Sequence, residues 1–120
     1  MSAVLIIEDD EKSRRLLCDV LGYHGHTVLQ TDSGESGLEM LTHIPNAIVL
    51  LDIQLPGISG FETLQRIRGT AAFHRVKIVA VTASVMDHDR KKIVGAGFDA
   101  YVPKPVDIQE LLATIARISA

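Results

Sequence analysis

Tryptophan is absent, cysteine occurs once (Cys18), and only 4% of the 120 residues are aromatic. A lone cysteine rules out an internal disulfide framework and fits a reducing compartment. With so few rings the core must be assembled from Val, Ile, Leu and Ala, which the 47% hydrophobic content supplies. No apolar stretch approaches the ~18 residues of a membrane span. A basic-then-apolar leader is missing as well, since acidic residues arrive at Glu8, Asp9 and Asp10. There is no excess of positive charge. Twelve Lys and Arg against fifteen Asp and Glu leave a formal −3, which gives no electrostatic pull toward nucleic acid. The densest basic clusters, Arg14-Arg15 and Arg90-Lys91-Lys92, read as solvated helix faces. These absences predict a single cytoplasmic domain over residues 1–120, with neither membrane insertion nor direct nucleic-acid binding and with no output domain attached.

What is present is alternation. Apolar runs of strand length occur at 4–7, 27–31, 47–51, 77–82 and 100–102. Segments of helical period lie between and after them, near 11–22, 34–43, 60–68, 87–96 and 107–118. The low polarity of the runs suits parallel strands covered by helices on both faces. The run Thr27-Val28-Leu29-Gln30-Thr31 is the most polar and is therefore expected at a sheet edge. Ser59-x-x-Glu62 and Asp107-x-x-Glu110 resemble capping boxes, and glycines fall where helices should stop. Gly22, inside the first helical segment, costs roughly 1 kcal/mol in propensity, so that helix is expected to be short or frayed at its end. Five βα units predict a doubly wound α/β sheet.

The chemistry gathers at the downstream ends of the runs. Glu8-Asp9-Asp10 follows the first, Asp52 the third, Thr82 closes the fourth, and Lys104 follows the fifth between Pro103 and Pro105. Strand carboxyl ends share one edge of such a sheet, where ligands bind. Three carboxylates packed there repel one another and raise at least one pKa unless a cation intervenes. A hard divalent ion is the natural remedy, and Mg²⁺ accepts one or two carboxylates while keeping other oxygens for the rest. A carboxylate after five apolar residues also needs a charge partner, which Lys104 can be. Thr82 offers a hydroxyl and Ala83 a backbone N–H, donors that suit phosphoryl oxygens. Lys104-Pro105 is a good candidate for a cis peptide bond.

Four segments, Val4-Leu5-Ile6-Ile7-Glu8-Asp9-Asp10, Leu51-Asp52-Ile53-Gln54-Leu55-Pro56-Gly57-Ile58-Ser59-Gly60, Val81-Thr82-Ala83-Ser84 and Tyr101-Val102-Pro103-Lys104-Pro105, carry a resemblance. In order and spacing the chain resembles the receiver domain of two-component response regulators, over nearly all its length. The resemblance implies a flavodoxin-like (βα)5 sandwich with a five-stranded parallel sheet in the order 2-1-3-4-5. It implies that Asp52 is a phosphoacceptor fed by a sensor histidine kinase, a histidine phosphotransfer protein or a small phosphodonor. Mg²⁺, for which Mn²⁺ can substitute, would be held by Asp9, Asp52 and the backbone carbonyl of Gln54, with Glu8 helping through water. Lys104 and Thr82 would engage the phosphoryl group, and Tyr101 would turn inward. That movement would reshape the surface of the fourth helix, fifth strand and fifth helix, which would bind a downstream protein or a second copy of the chain. Gln54 and Ser84 would tune the lifetime of the acyl phosphate. Glu8 stands where aspartate is more frequent in the family, a variant still expected to bind metal.

Two other readings use the same residues. An aspartyl-phosphate-forming phosphatase also sets Asp, Mg²⁺, Thr and Lys at strand ends, but its nucleophile follows the first strand as Asp-x-Asp. A receiver-like protein-binding scaffold without phosphorylation would be marked by loss of the acceptor, the acid pair or the lysine, all of which are present. The scattered histidines form no metal-binding pattern, and Cys18 reads as a packing residue.

Overall fold

Five parallel strands and five helices alternate along the chain in a computed structural model, which describes residues 3–83 and 87–119, with only the main chain for 87–90. The elements are β1 (Ala3–Ile7), α1 (Glu11–Tyr23), β2 (Thr27–Thr31), α2 (Gly34–Leu41), β3 (Ile48–Asp52), α3 (Gly60–Arg68), β4 (Lys77–Thr82), α4 (Asp87–Ala96), β5 (Ala100–Pro103) and α5 (Ile108–Ser119). The strands run β2-β1-β3-β4-β5, so the polar β2 is an edge strand and β1, β3 and β4 lie inside. A turn of 3-10 helix at Ala71–Phe73 precedes β4, and the sequence pattern did not announce it.

Alternation along each strand sorts the core into two layers. Val4 and Ile6, Ile48 and Leu50, Val79 and Val81, and Val102 meet Leu17 and Leu21 of α1 and Leu111 and Ile115 of α5. Leu5 and Ile7, Val49 and Leu51, and Ile78 meet Leu41 of α2 with Leu64 and Ile67 of α3. The aliphatic composition expected from the scarcity of rings therefore dominates both layers, with Phe73 as the buried ring of the second.

Local signals act largely as read. Ser59 caps α3 by accepting from the Glu62 N–H at 3.1 Å, and Asp107 accepts from the Glu110 N–H at 3.0 Å. The return arm of the first box is not made in that form, because the Glu62 carboxylate pairs with Arg66. The expected fraying of α1 at Gly22 is corrected: the helix continues to Tyr23. Leu17 and Leu21 anchor it in the core. Beyond Gly22, Gly25 takes φ +89° while His24 and His26 donate to the carbonyls of Val20 and Leu21. This left-handed cap satisfies the last turn and outweighs the poor propensity of one internal glycine.

Candidate functional site

The register brings the acids together. Ile7 lies beside Leu51, so the residues that follow, Glu8 and Asp52, emerge side by side. Asp52 itself is the last residue of β3, one place earlier in the fold than its expected position after the run, and pairs with Val81. Thr82 is opposite Pro103, and the Lys104 N–H donates to the Thr82 carbonyl at 2.8 Å, which delivers Lys104 from the far side of the sheet. The Lys104–Pro105 peptide is cis, as expected.

Side-chain carboxylate oxygens of Glu8, Asp9 and Asp52 lie within 4.8 Å of one another. Glu8 and Asp52 are buried, at 2% and 7% exposure, because they continue the strand face that packs on Leu17, Leu50 and Val81. Asp9 is exposed. Asp10 is not a member of the cluster; it caps α1, accepting from the Ser13 N–H at 2.9 Å, and the Ser13 side chain first and then this N–H lower its pKa. Lys104 Nζ reaches Glu8 Oε1 at 2.5 Å and Asp52 Oδ2 at 3.3 Å. The other Asp52 oxygen, Oδ1, accepts from the Gln54 N–H at 3.0 Å. Glu8 Oε2 is buried without a hydrogen-bond partner.

This electrostatic arrangement is short of positive charge. Burial first, and then the adjacent Asp52 carboxylate, lift Glu8 from its ordinary 4.5 to about 7, against the lowering effect of Lys104. For Lys104, burial works against the ammonium, but the hydrogen bond to Glu8 and the two carboxylate charges outweigh it and raise its pKa. One ammonium cannot balance three carboxylates, and an orphaned Glu8 oxygen marks the deficit. An all-oxygen donor set of this kind fits a hard cation such as Mg²⁺.

A pH dependence follows. A carboxyl whose folded pKa is raised stabilises the fold fully below its unfolded value, and that contribution is lost as pH rises through the folded value. Metal-free protein should therefore lose stability between pH 4.5 and about 7. We expect a fall of about 5 °C in melting temperature across that window in chelator, flattened by Glu8→Gln and reversed by added Mg²⁺. A metal-free melting temperature that climbs through the window would contradict this account of Glu8.

The remaining predicted positions belong to β4, β5 and the residues that follow β4 in the chain. Thr82 is buried at the end of β4, and Ala83 is exposed just beyond it. Tyr101 is half-buried on β5, opposite Ala80, and lines a cleft shared with Glu110, Thr114 and Arg117 of α5. Ser84 lies outside the described residues. The β3–α3 loop is held close to the site by two glycines. Gly57 takes φ +72°, and at Gly60 a β-carbon would stand 2.5 Å from the Asp52 carbonyl oxygen. A groove of about 450 Å³ lined by Ser13, Leu16, Leu17, Pro105 and Val106 opens beside Glu8 and Lys104. Composition alone did not reveal Arg14, which the sequence assigns to a solvated face. Its guanidinium instead donates to the Glu8 carbonyl at 3.0 Å.

Among the described residues no helix is long and apolar enough to cross a membrane. Residues 4–116 match the family described as the response regulator receiver domain. The polar-differentiation response regulator DivK of Brucella ovis is 31% identical over 113 residues, covering 94% of this chain and 92% of that protein. The crystal structure of a LuxR-family DNA-binding response regulator from Staphylococcus aureus superposes with a TM-score of 0.89 at 30% identity, with full coverage of both chains. Chemotaxis protein CheY4 of Vibrio cholerae shares the fold at a TM-score of 0.90 and 21% identity over 98% of each chain.

Proposed function

Because the chain belongs to the receiver-domain family of response regulators, we propose that Asp52 takes a phosphoryl group from a partner's phosphohistidine and thereby controls a protein-binding surface. The observation that carries this reading is the meeting of Glu8, Asp9, Asp52 and Lys104 at the carboxyl edge of the sheet. An Asp52 carboxylate oxygen attacks phosphorus, the P–N bond to the histidine breaks, and its electron pair returns to the imidazole, which takes up a proton. The product is an acyl phosphate on Asp52. The Gln54 N–H and the Lys104 ammonium each hold one Asp52 oxygen, so the nucleophile is already oriented. Asp9, Asp52 and the Gln54 carbonyl would hold Mg²⁺ or Mn²⁺, with Glu8 assisting through water. The bound ion supplies positive charge against the oxygens of the transferring group.

After transfer, Lys104 exchanges its carboxylate contacts for phosphoryl oxygens, Thr82 and the Ala83 N–H add hydrogen bonds, and Tyr101 turns inward. Gln54 and Ser84 flank the approach of hydrolytic water. The altered surface of α4, β5 and α5 binds a downstream protein or a second copy. Driving such a surface from 1:99 to 99:1 needs about 5.5 kcal/mol of differential interaction. The groove along α1 beside Lys104 suits a helix presenting the phosphohistidine, from a sensor kinase or a phosphotransfer protein.

The test is mass spectrometry of the chain after exposure to acetyl phosphate and Mg²⁺. A gain of one phosphoryl group that hydroxylamine removes supports the acyl phosphate. No gain, or a gain that resists hydroxylamine, rejects it; rapid multiple turnover would favour a phosphatase instead.

A further inference from the structure

Arg14 occupies the first turn of α1, where its N–H makes the helix's opening bond to the Asp10 carbonyl at 2.9 Å. Its neighbour Arg15 behaves as a solvated-face residue, 72% exposed and 3.9 Å from Glu11. Arg14 does not. One arm of its guanidinium donates to the Glu8 carbonyl at 3.0 Å, and Nε donates to Gln30 Oε1 on the edge strand β2 at 3.0 Å.

The bond to Glu8 falls on a sensitive peptide. The Glu8 N–H is tied to the Thr31 carbonyl at 3.1 Å, and Asp10 is tied into the helix cap. Between those fixed points lies the peptide joining Glu8 to Asp9, and rotation about the Glu8 Cα–C bond carries Asp9 and its side chain with it. Asp9 is the exposed member of the three-carboxylate cluster, so packing does little to hold it against repulsion by the other two. The guanidinium can do so because it is planar and anchored at two points, which a flexible ammonium cannot match. It binds the main-chain oxygen and not the Glu8 carboxylate, whose Oε2 is left without a hydrogen-bond partner.

We propose that Arg14, braced by Gln30, is a positioning residue for the cation site: it locks the Glu8–Asp9 peptide so that the exposed Asp9 carboxylate stays with those of Glu8 and Asp52. This rests on the cation-binding part of the reading above and adds the edge strand to the machinery. The test is calorimetric titration of the full chain with Mg²⁺ alone, alongside hydrogen exchange of the metal-free protein, for wild type, Arg14→Ala, Arg14→Lys and Gln30→Ala. Arg14→Ala should weaken Mg²⁺ about tenfold. Arg14→Lys should recover little of that, and Gln30→Ala should cost about threefold. Amides of residues 8–10 should exchange faster in Arg14→Ala while those of β3 keep their protection. Full recovery by lysine would reduce the effect to charge and overturn the assignment. So would unchanged Mg²⁺ affinity in Arg14→Ala, including affinity retained beside a uniform loss of protection. If wild type binds Mg²⁺ yet never gains a phosphoryl group, the acceptor reading falls, and the same affinities still decide the role of Arg14.

Discussion

Asp52→Asn is expected to abolish phosphoryl gain from acetyl phosphate and Mg²⁺ while leaving the fold intact. Asparagine has the same shape and its carbonyl can still accept from the Gln54 N–H, so the β3–α3 loop keeps its tether. What disappears is the anionic oxygen that, on the proposed reading, forms the new bond to phosphorus, for which a delocalised amide nitrogen is no substitute. The loss should exceed about a thousandfold, since no other group at the site is both anionic and tethered in the same way. The metal-free variant should also be more stable than wild type by about 1 kcal/mol near neutral pH. The negative charge of Asp52, one of the causes that raise Glu8, vanishes. Intact-mass measurement checks the first expectation and thermal melting in chelator the second. Undiminished labelling of the variant would move the acceptor elsewhere.

Removing the ammonium should have the opposite effect on stability. Lys104→Met keeps the apolar stem but withdraws the ammonium that, among the described residues, bridges Glu8 and Asp52. Breaking a buried pair by deleting one partner strands the other, and the cost is usually several kcal/mol. Lys104 is 24% exposed, so solvent softens the loss, and about 2 kcal/mol is the expected destabilisation of metal-free protein above pH 7. The penalty should shrink toward zero in acid, where a proton on Glu8 replaces the ammonium. Mg²⁺ should restore the variant and bind it about tenfold more tightly than wild type, because the competing charge is gone. Chemical denaturation at two pH values, with and without Mg²⁺, reads all of these. A variant as stable as wild type at alkaline pH would show that the ion pair does not hold the site.

Much of the fold was legible because its signals are local and repeated. Apolar runs of three to six residues, spaced by helical segments, specify buried parallel strands, and the polarity of Thr27 and Gln30 marked β2 as an edge. The carboxyl-edge cluster was legible for a related reason: Glu8, Asp52 and Lys104 each directly follow or close a run, and the parallel sheet aligns run ends. Less accessible was anything decided by the reach of one side chain. Asp10 looks no different from Asp9 in sequence, yet one hydrogen bond commits it to the helix cap. Arg14 and Arg15 are equally basic, but helical rotation turns the first toward Glu8 and Gln30 and leaves the second in solvent. The continuation of α1 past Gly22 depended on bonds from His24 and His26, which propensity does not count. Arg68 gave no signal either, although it ties the end of α3 to Val76, Gly97 and Asp99.

The strand order has a consequence for the newly made chain. Glu8 and Asp52 are synthesised early, but the lysine that joins them is 96 residues beyond the first and 52 beyond the second. Because β5 is added at the outer edge of the sheet, the pocket acquires its cation only when the last strand has docked. A ribosome-bound or C-terminally clipped chain thus presents acids without their counter-charge.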